Sequence, residues 1–260
     1  MIKQVKASNP SAGGRQYHLH TKLGDIAPHC LLVGPPERAR YIGTKLMNNG
    51  KMKAHHRGLK TYTGEFNGLP ISVVTVGMGG PAMGIVLKEA VASGARTLIR
   101  VGSCSTLLEH AKVGELAICS GAVRLDGASQ NWAMPEYPAM ADLDVTLALR
   151  ESARRLAHPF HLGIGATTAC FDEGQARPDP VDHYLAPHIR AQHEALIRLR
   201  VTIYEMENSA MFVRADSLRE RPRVGAICAI FGNRITNDFG KAGEDPAARV
   251  ALDALCQLGQ

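Results

Sequence analysis

The sequence predicts an α/β domain built on a mixed sheet. Three observations carry that reading. Short apolar, β-branched runs recur along the chain, and many run into a turn rich in Gly or Pro. Segments with helical spacing of apolar residues alternate with them. An Asn67-Gly68 pair between two strand-like runs adds an antiparallel hairpin. With 260 residues, 45% hydrophobic and 21% charged, the chain can bury a sizeable core without staples. No linker, repeat or low-complexity stretch divides it, so residues 1–260 read as one domain.

The elements follow in order. Residues 1–24 are polar and Gly-containing and read as a solvated arm, flexible over its first sixteen residues. The arm holds His18-Leu19-His20; a His-x-His pair can ligate metal, but no third ligand is evident. Residues 30–33 are a strand that runs into Gly34-Pro35-Pro36, and a helix is expected over about 37–47. Arg38 falls in its first turn, where a cation opposes the helix dipole. A bound anion at the helix start would explain it, as would ordinary surface charge. Residues 61–66 and 71–76 form the hairpin. Gly77-Met78-Gly79-Gly80-Pro81 then opens a helix through about 93, with Met83, Val86, Leu87, Ala90 and Val91 on one face. The glycines match neither the dinucleotide fingerprint nor a P-loop, and imply only a close approach to the backbone.

Residues 97–101 read as a buried strand, turned by Gly102 and Ser103. Residues 114–119 are another strand, 123–127 a loop and 142–158 a helix. Residues 162–168 lead as a strand into a polar loop, 170–177. His183, His188 and His193 recur every five residues, about 140° apart round a helix, so they do not converge as ligands. Residues 201–207 are strand-like, with Glu205 and Glu207 on one face. A helix from about 208, a strand over 224–231 and a terminal helix over about 245–258 complete the chain.

Charge and composition narrow the function. The net charge of +6 and pI of about 9.1 admit nucleic acid or a small anion. The basic residues are dispersed and aromatics make up 5%, which supplies few stacking platforms and argues against nucleic acid. Six scattered cysteines without a C-x-x-C fit a reducing cytoplasm. No apolar run approaches ~18 residues, so no membrane span is expected.

Arg100 is the anomaly: a guanidinium inside an apolar run, costly to bury unless it meets an anion. At the carboxyl end of a sheet strand, with the Ser103 hydroxyl beside it, it would suit phosphate. The alternative is a core ion pair, for instance with Glu89. Gln175 and Arg177 could read a flat, amide-like heterocycle such as uracil, or simply belong to a surface loop. Glu205 and Glu207 could hold sugar hydroxyls or pair with arginines.

Together, Gly34-x-x-x-Arg38, His56-Arg57, residues 77–81, 99–103 and 123–129, Gly174-Gln175-x-Arg177, residues 204–210 and Asn233-Arg234 resemble the nucleoside phosphorylase I family, and within it the uridine-cleaving branch. The resemblance spans nearly the whole chain from Tyr17. It implies a three-layer α/β/α sandwich around a mixed, distorted central barrel. It also implies reversible phosphorolysis of uridine, with deoxyuridine open, to uracil and ribose 1-phosphate. In that frame Gly34, Arg38, Arg100 and Ser103 bind phosphate. Arg57 adds a guanidinium from a neighbouring subunit. Phe171, Gln175 and Arg177 meet the base. Glu205, Met206 and Glu207 line the ribose site, and the neighbour's His18 reaches the 5′-hydroxyl. Arg100, Gln175 and Arg177 would be catalytic, with phosphate as co-substrate and no metal or other cofactor. Sites shared in this way imply a homodimer, open to assembly as a hexamer.

The chain departs from the family pattern at Pro35, where Asp is usual, and at Gly58, where a Glu takes part in a monovalent-cation site in some members. Ser103 replaces the usual Thr and keeps its hydroxyl. Purine-cleaving relatives carry an acidic Asp in the region of Asn233, so a pyrimidine is favoured. The rival readings are a purine phosphorylase or nucleosidase of the same fold, and a non-catalytic nucleoside or phosphate binder.

Overall fold

The computed structural model describes residues 10, 11 and 13–259. Ten strands lie in one sheet in the order β10-β6-β8-β9-β5-β1-β4-β3-β2, with the short β7 (Ala139–Met140) on β6. At its centre are β1 (His29–Val33), β4 (Leu69–Thr75) and β5 (Thr97–Thr106), all parallel. On one side β3 (Leu59–Phe66) and β2 (Asn48–His56) continue antiparallel from β4. On the other, β9 (Ile203–Glu205), β8 (Phe160–Thr168), β6 (Leu116–Leu125) and β10 (Arg223–Asn233) follow. Because β10 also pairs with β5, these five strands close into a ring. The sheet is thus mixed, and one half of it is a barrel, as the family resemblance implies.

Both faces are covered. Along β1, Cys30 and Leu32 join the core beneath α2 (Gly80–Ala92) and α5 (Asn208–Ser217). The alternate residues Leu31 and Val33 join the core beneath α1 (Pro36–Tyr41), α3 (Leu143–Arg155) and α6 (Glu244–Leu258). The period-two alternation of side chains explains why β1 and β5 read as unbroken apolar runs: neither face meets water. The remaining helix, α4 (Pro187–Arg198), packs a satellite cluster around Leu196, Val201 and Tyr204. Local signals set the ends. The Asp142 side chain accepts the Val145 N–H and caps α3. Asn67 and Gly68 both have positive φ, as a tight two-residue hairpin requires.

Five expectations are corrected. The segment from Tyr17 to Gly24 is not a solvated arm: Leu19 and Thr21 are fully buried, and the His18 and Leu19 N–H groups donate to Glu89. The rest of the expected arm lies mostly outside the described residues. The helix after β1 has the expected extent, but only Pro36–Tyr41 is α-helical and its last turn, Ile42–Leu46, is a π-turn. Strand β5 does not turn at Gly102 but runs on to Thr106, because β10 stays paired beside Gly102, Ser103 and Cys104. Strand β6 likewise absorbs Val123, Arg124 and Leu125, paired to β8. Glu207 is not on the strand with Glu205; it is the residue that starts α5. Strand β2 is an addition. Its sequence is polar and its turn to β3 is Arg57-Gly58, both with positive φ.

Leu252 of α6 is fully buried in the cluster that seals one face of the sheet. Leu252→Ala should lower stability by about 2–5 kcal/mol, read as a lower urea midpoint with unchanged slope.

Candidate active site

Parallel β1, β4 and β5 present their carboxyl ends together. The Gly77 N–H donates to Gly34 O, so the turns after β1 and β4 lie against each other. The crevice above such strand ends is where open α/β sheets hold ligands. Here it is a cavity of about 540 Å³. Of the residues singled out from sequence, it brings together Gly34, Arg38, Arg100, Ser103, Phe171, Gln175, Arg177, Glu205, Met206 and Glu207.

Arg100 forms the floor and is only 7% exposed. Its Nη2 donates to Glu207 Oε2. Its Nη1 donates to Asn208 Oδ1 at 3.2 Å and Cys228 Sγ at 3.1 Å, and lies 3.4 Å from Glu205 Oε2. Burial opposes its charge, but Glu207, Cys228 and Glu205 together outweigh burial and hold the guanidinium protonated. Glu89, the partner considered from sequence, instead binds His18.

The carboxylates are themselves anchored. Glu205 Oε2 accepts the N–H groups of Glu207 and Asn208 at 2.7 and 2.8 Å, and Oε1 accepts the Thr167 hydroxyl. Glu205 therefore caps α5, and its burial pushes its carboxyl up against the opposing pull of Arg100. Glu207 Oε1 accepts the Gly79 N–H at 2.6 Å. That bond ties the glycine turn before α2 to the start of α5. With roughly four lone-pair sites, Glu207 has capacity left for a hydroxyl donor.

Arg38 has found an anion within the chain. Its Nε and Nη2 donate to Glu244 Oε1, at 3.2 and 2.5 Å, and its Nη1 donates to Val101 O at 2.9 Å. A cation in the first turn of α1 is thus explained by the first turn of α6.

Gln175 and Arg177 line the same cavity. Gln175 is 3% exposed, so loop 170–177 is not a plain surface loop. Arg177 Nη1 donates to Gln175 Oε1 at 2.8 Å and to Phe171 O at 2.6 Å. Its Nη2 donates to Ser105 Oγ at 2.9 Å, and its guanidinium stacks 4.2 Å from the Phe171 ring. Burial and the nearby Arg234 pull its pKa down. The result is a rigid amide–guanidinium pair beside apolar Phe171 and Phe231.

His18 and Arg57 do not join this cavity. They sit together elsewhere, with Tyr17 edge-on to the His18 ring and under the Arg57 guanidinium. The His18 Nδ1 pairs with Glu89 at 2.7 Å, and His20 packs on the His56 ring, so the two histidines of the His-x-His pair are engaged apart. Asn233 also lies outside: its amide donates to Leu108 O and Ala111 O and accepts from the Ile235 N–H.

Sequence reasoning missed four lining residues of consequence: Ser105, Phe239, Lys241 and Glu244. Ser105 was within reach, since it follows Ser103 at period two once β5 is known to continue. Glu244 had no local signal.

A sequence model described as the phosphorylase superfamily matches residues 28–256. The chain belongs to this superfamily. Among its relatives, a uridine phosphorylase of Thermococcus kodakarensis is 43% identical over 259 residues, covering 99% of this chain and 92% of that one. A uridine phosphorylase of Escherichia coli is 30% identical over 93% of this chain and 97% of its own. A guanosine phosphorylase of Halorubrum lacusprofundi is 27% identical over 92% of each. The matched span runs from β1 into α6 and takes in every residue that lines the cavity.

Gly102 is the residue that makes room for Arg100. A Cβ there would lie 2.3 Å from Arg100 Nη1. Gly102→Ala should therefore displace the guanidinium and lower any anion affinity of the cavity at least tenfold, with a near-native far-ultraviolet circular dichroism spectrum. Phosphate calorimetry reads this directly.

Proposed function

We propose that the chain catalyses the reversible phosphorolysis of uridine to uracil and ribose 1-phosphate. One observation carries the reading. A single cavity is lined by Arg100 and Arg38 with Ser103 and Gly34, by the Gln175–Arg177 amide–guanidinium pair, and by the carboxylates Glu205 and Glu207. That set of groups suits phosphate, base and ribose. The uridine phosphorylases among the relatives support it.

The chemistry follows from charge. Breaking the glycosidic bond leaves positive charge on the sugar and negative charge on the departing uracil. Phosphate held over Arg100 and Arg38 faces the sugar, stabilises the cation and then bonds to it. Arg177 donates to an oxygen of the uracil anion, and Gln175 offers its amide to the ring edge. Glu207, with spare acceptor capacity, takes the ribose hydroxyls beside Met206. Glu205 acts through α5 as its support. The reading needs no metal or organic cofactor, because preset arginines supply the charge stabilisation. Asn233 is consumed in backbone capping, so it offers no acid to a purine ring, which supports a pyrimidine. The described cysteines are all unpaired, which suits a cytoplasmic enzyme, and among the described residues no helix is long and apolar enough to cross a membrane.

His18 and Arg57 can serve a phosphorylase site only in another copy, since they stand outside their own chain's cavity. A homodimer with exchanged residues is therefore part of the proposal, and three such dimers would build a hexamer. Sedimentation of active protein should show a dimer or larger; a fully active monomer refutes the exchange.

Uracil release from uridine, followed by ultraviolet absorbance, tests the reaction. It should require phosphate and exceed release of hypoxanthine from inosine. Arg100→Ala and Arg177→Ala should each lower kcat/KM by about 10²–10³. Release without phosphate would make the protein a hydrolase, and no release at all would make it a binder.

A further inference from the structure

We infer that Glu244 makes the anion site selective for an oxyanion that carries a proton: it accepts the P–OH of hydrogen phosphate and rejects a bare dianion such as sulfate. The inference rests on the reading of Arg38 as a phosphate-binding residue.

The argument starts from the Arg38 fork. A guanidinium has five N–H donors, and here three are used, two on Glu244 Oε1 and one on Val101 O. Two remain, one on each terminal nitrogen. Any anion that takes them shares the guanidinium with a carboxylate already in place. Glu244 also lines the cavity in its own right. Among the described residues its second oxygen, Oε2, accepts no hydrogen bond, and the exposed Lys241 ammonium stands 3.8 Å from it. The site therefore presents a carboxylate with free lone pairs beside the place an oxyanion must occupy.

A carboxylate of this kind distinguishes anions by their protons, not by their size. Ionised Glu is an acceptor only. Against sulfate it gives charge repulsion with no compensating bond. Against hydrogen phosphate, an ion of the same shape and charge, it accepts one short charge-assisted O–H···O⁻ bond. The Arg38 side chain is 7% exposed and that of Glu244 30%, so water screens the difference only in part. The same bond would fix which phosphate oxygen carries the proton, leaving unprotonated oxygens toward Arg100 and the sugar.

The experiment is calorimetric titration of the full chain with inorganic phosphate and, separately, inorganic sulfate, for the unaltered protein, Glu244→Gln and Glu244→Ala. The unaltered protein should prefer phosphate by about tenfold or more, the weight of one charge-assisted bond. Both variants should lose most of that preference, chiefly by gaining affinity for sulfate. Glutamine keeps the shape without the charge, and alanine removes the acceptor altogether, so a folding defect in one leaves the other as the test. The inference is overturned if the unaltered protein binds the two ions alike, or if either folded variant keeps the original ratio. Phosphate-dependent uracil release by the unaltered protein is measured alongside. Release with no ion preference sinks this inference alone, whereas neither release nor phosphate binding sinks the functional reading with it.

Discussion

The site depends on keeping one positive charge under a closed sheet. Arg100 is surrounded by fully buried neighbours on β5, among them Ile99 and Val101. An unpaired guanidinium at that depth would cost several kcal/mol. The chain meets the cost by bringing the start of α5 to it. Glu205 caps α5 and Glu207 reaches the arginine, while Thr167, the Glu205 partner on β8, also accepts the Ser209 N–H. Asp126 extends the network, accepting hydroxyls from Ser129 and Ser209. The motif around Asp126 has no side chain in the cavity, yet it steadies the helix whose first turn neutralises Arg100. On the proposed reading, folding and binding draw on the same ion pair: a phosphate would compete for a guanidinium that the protein has already satisfied, which leaves its remaining donors, and those of Arg38, to hold it.

Much of the fold was legible because its signals are local. Apolar runs at β1 and β5, the Asn67-Gly68 turn, the Pro81 helix start and the Asp142 cap each act within a few residues. The errors arose where pairing overrode local preference. Gly102 looks like a turn, but the absence of a side chain there serves to admit the Arg100 head, and β10 holds the strand straight past it. Residues 123–125 look like a loop because Arg124, Asp126 and Gly127 interrupt the apolar run, yet β8 pairs with them. Segment 17–24 looks like an arm, and only the distant Glu89 carboxylate makes it a docked one.

The site divides in the same way. Arg100, Gln175, Arg177 and the paired glutamates stood out as polar groups in places that need a reason, and all line one cavity. Glu244 could not be found this way. It lies 206 residues from Arg38 and sits in a helix start where an acidic residue is ordinary. Its role exists only once α6 has packed beside α1. Anomaly in a local context is readable from sequence, whereas a conventional residue with an unconventional neighbour is not.

The closing of β10 onto β5 has a consequence for how the molecule behaves in a crowded solution. A sheet of ten strands ordinarily has two open margins, each a template on which other chains can stack. Here the ring abolishes one of them. The other is β2, which carries Lys51 and Lys53, is largely exposed, and is broken by two irregularities in its register with β3. Charge and a disrupted ladder make a poor template. A large, strongly apolar sheet is thereby kept from growing beyond its own chain.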